Sequence, residues 1–274
     1  MNLPAPPSRS DLAERRRGDQ DDELPRMGLL DHLDELRRRI VNSLIALVVA
    51  CGVAWLFIDP IIGFLQQPIL PHLDGGRLVY LGPSDALMLY IKVALLAGVF
   101  LALPVILWQV WRFITPGLYP RERRWAAPFV ILGTLFFVAG GAFAYYVAFP
   151  FAVEFLLEFS DQFESMITVD RYMRFLMTVI LGLGVMFELP IVIFVLAQVG
   201  LVTPAFLMRH FRWAVLLIFV LAAVITPTPD VVNLCIFAVP TIGLYLLGVA
   251  AAWVTTRRKR KLEAEEGGDG GEAG

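Results

Sequence analysis

Three glutamates stand in surroundings where a carboxylate needs an explanation. Glu35 lies in HLDELRRR, just before the first long apolar run, and Glu122 lies among arginines in LYPRERRW, after the second run. Glu188 lies in GVMFELPIV, in the middle of the fourth apolar run. Carboxylates bind guanidinium groups through paired hydrogen bonds, and a carboxyl group inside a membrane usually serves a proton path or a polar cavity. The pattern therefore indicates recognition of cations and, for Glu188, an intramembrane role.

Each acidic residue also has a purely structural interpretation. Glu35 is four residues before Arg39, a spacing at which ion pairs stabilise a helix by a few tenths of a kcal/mol. Glu122 is expected to reduce repulsion among its neighbouring arginines, and Glu188 to hydrogen-bond an adjacent helix in protonated form. Asp230 begins the sixth apolar run, where it is expected to cap the helix. Glu35 and Glu122 fall on the same, otherwise basic side of the membrane, which favours a binding role for both.

The sequence contains no pattern typical of an enzyme. It has no nucleophile with an adjacent base, no metal-ligand spacing and no glycine-rich phosphate loop. His32, His72 and His210 are too scattered for a three-histidine zinc site. Cys51 and Cys235 lie within apolar runs and do not indicate a disulfide framework. We expect no catalytic activity, no cofactor, no metal and no nucleic-acid partner.

The elements that position these residues are apolar helices. Hydrophobic residues make up 58% of the 274 residues, and the mean hydropathy is +0.69, whereas about 45 to 50% apolar is usual in soluble domains. The apolar runs are residues 40–58, 86–110, 125–149, 175–199, 213–225 and 231–254. We predict an all-α integral membrane protein with six transmembrane helices. The fifth is too short to cross about 30 Å of hydrocarbon at 1.5 Å per residue.

Topology and domain boundaries follow from the charges. Most of the 23 lysines and arginines fall on one side of a six-helix arrangement, and basic loops stay in the cytoplasm, so both termini are predicted to be cytoplasmic. Residues 1–26 and 257–274 are too polar to bury a core and are predicted to be disordered tails around a membrane domain, residues 27–256. Pro104, Pro190 and Pro240 lie inside the runs and predict kinked helices and a curved bundle.

Four motifs in order carry a family resemblance: HLDELRRR before the first run, LPVILWQVWRFITPGLYPRERR after the second, FELP in the fourth and TPTPD into the sixth. With these motifs the chain resembles the TatC family, the multi-spanning core of the twin-arginine protein translocase. The resemblance implies a concave six-helix bundle in the bacterial cytoplasmic membrane, with short fifth and sixth helices. It also implies a receptor for the paired arginines of a signal peptide. The translocase to which such a receptor belongs exports folded proteins and is driven by the proton-motive force.

The resemblance assigns roles to individual residues. Glu35 and Glu122 match the family's two signal-binding glutamates, and Phe113 matches the aromatic residue of the same cytoplasmic loop. Glu188 matches a mid-membrane glutamate that faces a lipid-exposed groove. TPTPD has one threonine more than the family's TPPD, so contacts near the outer end of the sixth helix transfer less directly.

The resemblance also implies outer positions and partners. Pro68 and Asp230 match residues of the family's outer loops. The implied partners are the single-span TatA and TatB proteins, twin-arginine signal peptides, further TatC copies and membrane lipid. Two alternatives stay open: a proton-coupled small-solute transporter with Glu188 as its proton carrier, and a passive membrane scaffold in which every carboxylate is structural.

Overall fold

The computed structural model describes residues 29–73, 78–114, 126–158, 167–226 and 230–268. Regular structure in these ranges is helical, apart from one parallel β-bridge between Val79 and Thr168. The helices, in chain order, are α1 Leu29–Trp55, α2 Ile58–Gln66, a 3-10 turn Leu70–His72, α3 Pro83–Ile114, α4 Ala126–Phe143, a π-helical turn Ala144–Ala148, α5 Phe149–Leu157, α6 Val169–Phe187, α7 Leu189–Gln198, α8 Pro204–Arg209, α9 Phe211–Ile225 and α10 Val231–Gly268.

Five helical segments are long and apolar enough to cross a membrane: His32–Trp55, Pro83–Ile114, Ala126–Leu157, Val169–Gln198 and Val231–Val254. The predicted multi-pass, all-helical membrane architecture is therefore confirmed. The predicted fifth segment is α9, whose 15 residues give about 22 Å of helix. It is shorter than the hydrocarbon core, as its sequence indicates.

The last helix corrects two predictions. It was expected to be short and to end near residue 256, but α10 has 38 residues and reaches Gly268. The added stretch reads RRKRKLEAEE before its two glycines, and Arg, Lys, Leu, Glu and Ala all have high intrinsic helix propensity. High polarity prevents this stretch from forming a core, but it does not prevent it from extending a helix. Residues 1–26 and 269–274 of the predicted tails lie outside the described residues.

The fourth apolar run is interrupted at Glu188. Helix α6 ends at Phe187 and α7 begins at Leu189, because Pro190 has no N–H group to continue the ladder. The carbonyl of Glu188 accepts the first backbone bond of α7, from Ile191 N–H at 3.0 Å. Of the three predicted proline sites, this one separates two helices, whereas Pro104 and Pro240 lie inside continuous helices.

Helix α1 packs mainly along α3, and this contact positions the Glu35 region. At Gly98 on α3, an added Cβ would lie 2.4 Å from Cys51 Sγ and 3.1 Å from its Cα, so the two backbones approach very closely. Much of the remaining surface of α1 is apolar and exposed, including Leu44, Val48 and Val49. In a membrane protein this surface faces lipid, so α1 has one packed side only.

The end of the bundle away from Glu35, where α3 and α6 begin, is held by hydrogen bonds to α2; we call this end the opposite face. Tyr172 O–H donates to the Leu65 carbonyl at 2.6 Å, and Tyr145 O–H donates to the Phe64 carbonyl at 2.6 Å. These carbonyls belong to the last turn of α2, where the regular helical bonds end and the Phe64 carbonyl otherwise accepts only from Gln67 N–H, at 3.2 Å, among the described contacts. The two tyrosines therefore join α2 to the third and fourth membrane segments.

Candidate functional site

Glu35 and Phe113 are brought to the same end of the bundle by the antiparallel packing of α1 and α3. The link is His32, one turn before Glu35, whose ring stacks on Phe113 with centroids 4.5 Å apart and planes at 26°. The sequence predicted that Glu35 and Phe113 serve one site. The structure places them on adjacent helices at one face, which we call the Glu35 face.

Glu35 makes the ion pair that its spacing predicted. Its Oε1 lies 2.8 Å from Arg39 Nη2, and both side chains are only 14% exposed. Arg39 also donates from Nη1 to Gln109 Oε1 on α3 at 3.3 Å. Glu35 Oε2 and Arg39 Nε are buried and have no hydrogen-bond partner within the described ranges. The ion pair therefore uses only one of the two carboxylate oxygens.

An apolar groove of about 250 Å³ continues from this ion pair between α1 and α3. Its lining combines aliphatic side chains with a few polar ones: Leu36, Arg39, Ile40, Ser43, Leu44, Leu47, Ile106, Gln109, Val110 and Phe113. A carboxylate at one end of an apolar groove can hold a cation that is followed by hydrophobic residues. This arrangement fits a peptide better than a small ion.

The predicted partner of Glu35, Glu122, lies outside the described residues. Sequence reasoning missed Gln109 and His32 as members of the site. A signal for both was present, because Gln109 precedes Phe113 by four residues and His32 precedes Glu35 by three, spacings that share a helix face.

Glu188 lies at the α6–α7 break and is not among the residues that line the groove beside Arg39. A Cβ placed on Gly133 of α4 would be 3.2 Å from Glu188 Oε2 and 2.7 Å from Leu107 Cδ1. The absence of a side chain at Gly133 therefore makes room for the carboxyl group between α4 and α3. Glu188 Oε1 is buried with no hydrogen-bond partner in the described part of the chain.

Pro68 and Asp230, which were predicted to belong to outer loops, have structural surroundings. Asp230 caps α10: its Oδ1 accepts from Asn233 N–H at 2.7 Å and its Oδ2 from the Asn233 side-chain amide at 2.9 Å. This is the capping geometry expected from its sequence position. Pro68 is half-buried in the turn between α2 and Leu70. Neither residue lies beside Glu35 or Glu188 in the contacts described.

Comparison with known proteins decides the family. The family model described as Sec-independent protein translocase protein TatC matches residues 31–240. The chain belongs to the TatC family. Its relatives include the TatC proteins of Koribacter versatilis, 45% identical with 89% of this chain and 92% of that protein covered, and of Aquifex aeolicus, 35% identical with 86% and 99% covered. A crystal structure of the twin arginine translocase receptor TatC superimposes with a TM-score of 0.72 at 35% identity, covering 82% of this chain and 99% of that chain.

Family membership settles the broad function. The chain is a multi-pass membrane component of the Sec-independent translocase, so its role is protein transport, and the small-solute transporter and passive scaffold are set aside. The resemblance predicted from HLDELRRR and the three later motifs is thus confirmed.

Proposed function

We propose that the Glu35 face is the receptor for twin-arginine signal peptides and that the chain exports folded proteins across the bacterial cytoplasmic membrane. The observation that carries this proposal is the buried Oε2 of Glu35, which has no described hydrogen-bond partner, on a carboxylate paired with Arg39, a residue that lines the apolar groove. The similar solved structure, called the twin arginine translocase receptor, supports the same role.

The chemistry of the groove matches this class of ligand. A guanidinium forms two parallel charge-assisted hydrogen bonds with one carboxylate, so two arginines require two carboxylates. Glu35 is one, and we assign Glu122 as the other. Phe113 supplies an aromatic face at the same end, and the aliphatic groove receives apolar residues of the peptide.

The remaining assignments concern topology, partners and energy. We assign both termini and the Glu35 face to the cytoplasm, since most basic residues fall on that side. TatA and TatB are assigned to the fifth and sixth segments, and the short α9 supports this because a local bilayer thinning there favours association with other helices. Glu188 is assigned to transport after binding, driven by the proton-motive force.

The test measures binding of a labelled peptide with two consecutive arginines to the purified protein in detergent. Glu35→Gln and Glu122→Gln each remove one charge-assisted pair, so we expect affinity to fall by about tenfold to a hundredfold. A twin-lysine peptide is expected to bind poorly, because lysine cannot form the two-bond fork.

Asp34→Asn is the matched control. It removes the same charge one residue away, on an exposed position of α1. We expect its peptide affinity to stay near that of the unchanged protein. If the Glu35 and Glu122 variants both bound the twin-arginine peptide as tightly as the unchanged protein does, the receptor assignment would be wrong.

A further inference from the structure

The resting site contains its own guanidinium. Arg39 Nη2 lies 2.8 Å from Glu35 Oε1, and each of the two side chains is 14% exposed. An arginine of a signal peptide that binds Glu35 through two hydrogen bonds must take this same oxygen. Because the pair is only 14% exposed, Arg39 covers the approach to this carboxylate, so a peptide guanidinium that reaches both oxygens competes with the Arg39–Glu35 contact for the same space.

We infer that Arg39 is an internal competitor that occupies Glu35 in the absence of a signal peptide and sets an affinity threshold for ligands. This inference rests on the proposed receptor function of Glu35. It adds an autoinhibitory contact within the site, so that a bound state requires Arg39 to leave Glu35 first.

The geometry explains why a peptide arginine can displace Arg39. Arg39 uses one carboxylate oxygen and leaves Oε2 and its own Nε without hydrogen-bond partners in the described residues. An incoming guanidinium in fork geometry uses both oxygens, so the exchange replaces one bond by two. A lysine ammonium is a point donor and replaces one bond by one, so it gains little against the competitor.

Gln109 gives Arg39 a position after the exchange. Its Oε1 already accepts from Arg39 Nη1 at 3.3 Å, across from α3. When Glu35 is taken by a ligand, this bond remains available to Arg39, whose charge would otherwise lose its described polar partners. Because Arg39 keeps this bond both before and after the exchange, Gln109 retains the competitor beside the site without itself favouring either state.

A competitor reduces the affinity of every ligand for Glu35 by the same factor, namely the inverse of the fraction of protein in the open state. Arg39→Gln is therefore expected to strengthen binding of both twin-arginine and twin-lysine peptides, by at least about threefold and by equal factors. Gln109→Met removes a bond that Arg39 makes in both states, so it is expected to change the affinity of either peptide by less than about twofold.

Arg38→Gln controls for charge. Arg38 is the neighbouring, exposed arginine, and its removal changes the net charge by the same amount without touching Glu35. The gain in Arg39→Gln is measured relative to this variant. Thermal unfolding in detergent checks that each variant is folded. Arg39→Lys is a second variant, which keeps the charge but not the planar guanidinium, and we expect its gain in peptide affinity to be smaller than that of Arg39→Gln.

The outcomes separate this inference from the proposed function. Weaker twin-arginine binding in folded Arg39→Gln would show that Arg39 supports the ligand, and affinity equal to that of Arg38→Gln would show that it does not compete. Either result overturns the competitor while Glu35 dependence preserves the receptor. Binding that does not depend on Glu35 overturns both.

Discussion

Two described carboxylates of the opposite face have polar partners at partly exposed positions, whereas the Glu35 face and the membrane interior each hold a buried carboxylate oxygen without a described partner. On the opposite face, Asp170 pairs with Lys92 on α3 and with Arg174 on its own helix, and Asp85 accepts from the N–H groups of Leu81 and Gly82. Glu35 and Glu188, by contrast, each keep one buried oxygen without a partner in the described ranges.

This difference separates structural from functional carboxylates. A buried polar atom without a partner costs about 1 to 3 kcal/mol, so a fold keeps one only where another requirement outweighs stability. A saturated carboxylate stabilises the fold that carries it. We therefore expect substitutions on the opposite face to change the free energy of unfolding, and substitutions at Glu35 and Glu188 to change peptide binding or export.

After the peptide-binding variants, the largest expected effect is on export in Glu188→Ala. The variant keeps the Glu35 face intact, so peptide affinity should be unchanged, while export of a folded twin-arginine substrate should fall severalfold. Glu188→Gln is the matched variant, because it keeps the shape and hydrogen-bonding atoms but carries no ionisable group. Measuring export in cells and peptide affinity on purified protein separates the two sites; a parallel loss of both would show that they are one.

Gly133→Val tests whether Glu188 needs the space beside it. The added side chain meets Leu107 Cδ1 and the Glu188 carboxyl, so we expect about 1 to 3 kcal/mol of destabilisation together with impaired export. Gly63→Val is the control, because nothing lies within 4 Å of an added Cβ there. Thermal unfolding in detergent measures the first effect. Normal export from a folded Gly133→Val protein would contradict the assignment.

Asp170→Asn addresses the opposite face. It removes the charge that joins Lys92 of α3 to α6, on a pair about one-third exposed, so we expect a loss of about 1 kcal/mol in unfolding free energy. Peptide affinity should not change. The comparison of the two faces would fail if Asp170→Asn altered peptide binding while leaving stability intact.

The smallest expected effect is in Tyr172→Phe. The change removes one hydroxyl that donates to the Leu65 carbonyl, and the net contribution of such a bond is about 1 kcal/mol or less. Tyr145→Phe provides a parallel measurement at the Phe64 carbonyl. Denaturation in detergent should show small, similar losses and unchanged export. A large export defect would place function on the opposite face as well.

The apolar runs predicted most of the fold because hydrophobic periodicity and length are local properties. The short α9, the Glu35–Arg39 pair and the Asp230 cap were likewise readable, since each depends on residues within four positions. The extent of α10 was predicted wrongly, because polarity was taken to exclude a helix. Helix α2 was also not foreseen, and two of its last carbonyls are bonded by tyrosines distant in the chain.

The parts of the site that the sequence did not predict depend on contacts between helices. Gln109 meets Arg39 across 70 positions, and Lys92 meets Asp170 across 78. Single-sequence patterns do not encode which faces of two apolar helices meet. Gly133 was not noticed for the same reason, since its value depends on the Glu188 side chain opposite it.

The close approach of Cys51 and Gly98 has a mechanical consequence for Glu35. It fixes the rotation of α1 about its own axis at a point 16 residues from Glu35, about 24 Å along the helix. Because α1 is continuous between these residues, a rotation of the helix caused at its contact with Gly98 also rotates the Glu35 side chain about the helix axis. A single methyl group added at Gly98 would thus move Arg39 relative to Gln109, and with it the orientation of Glu35 at the groove.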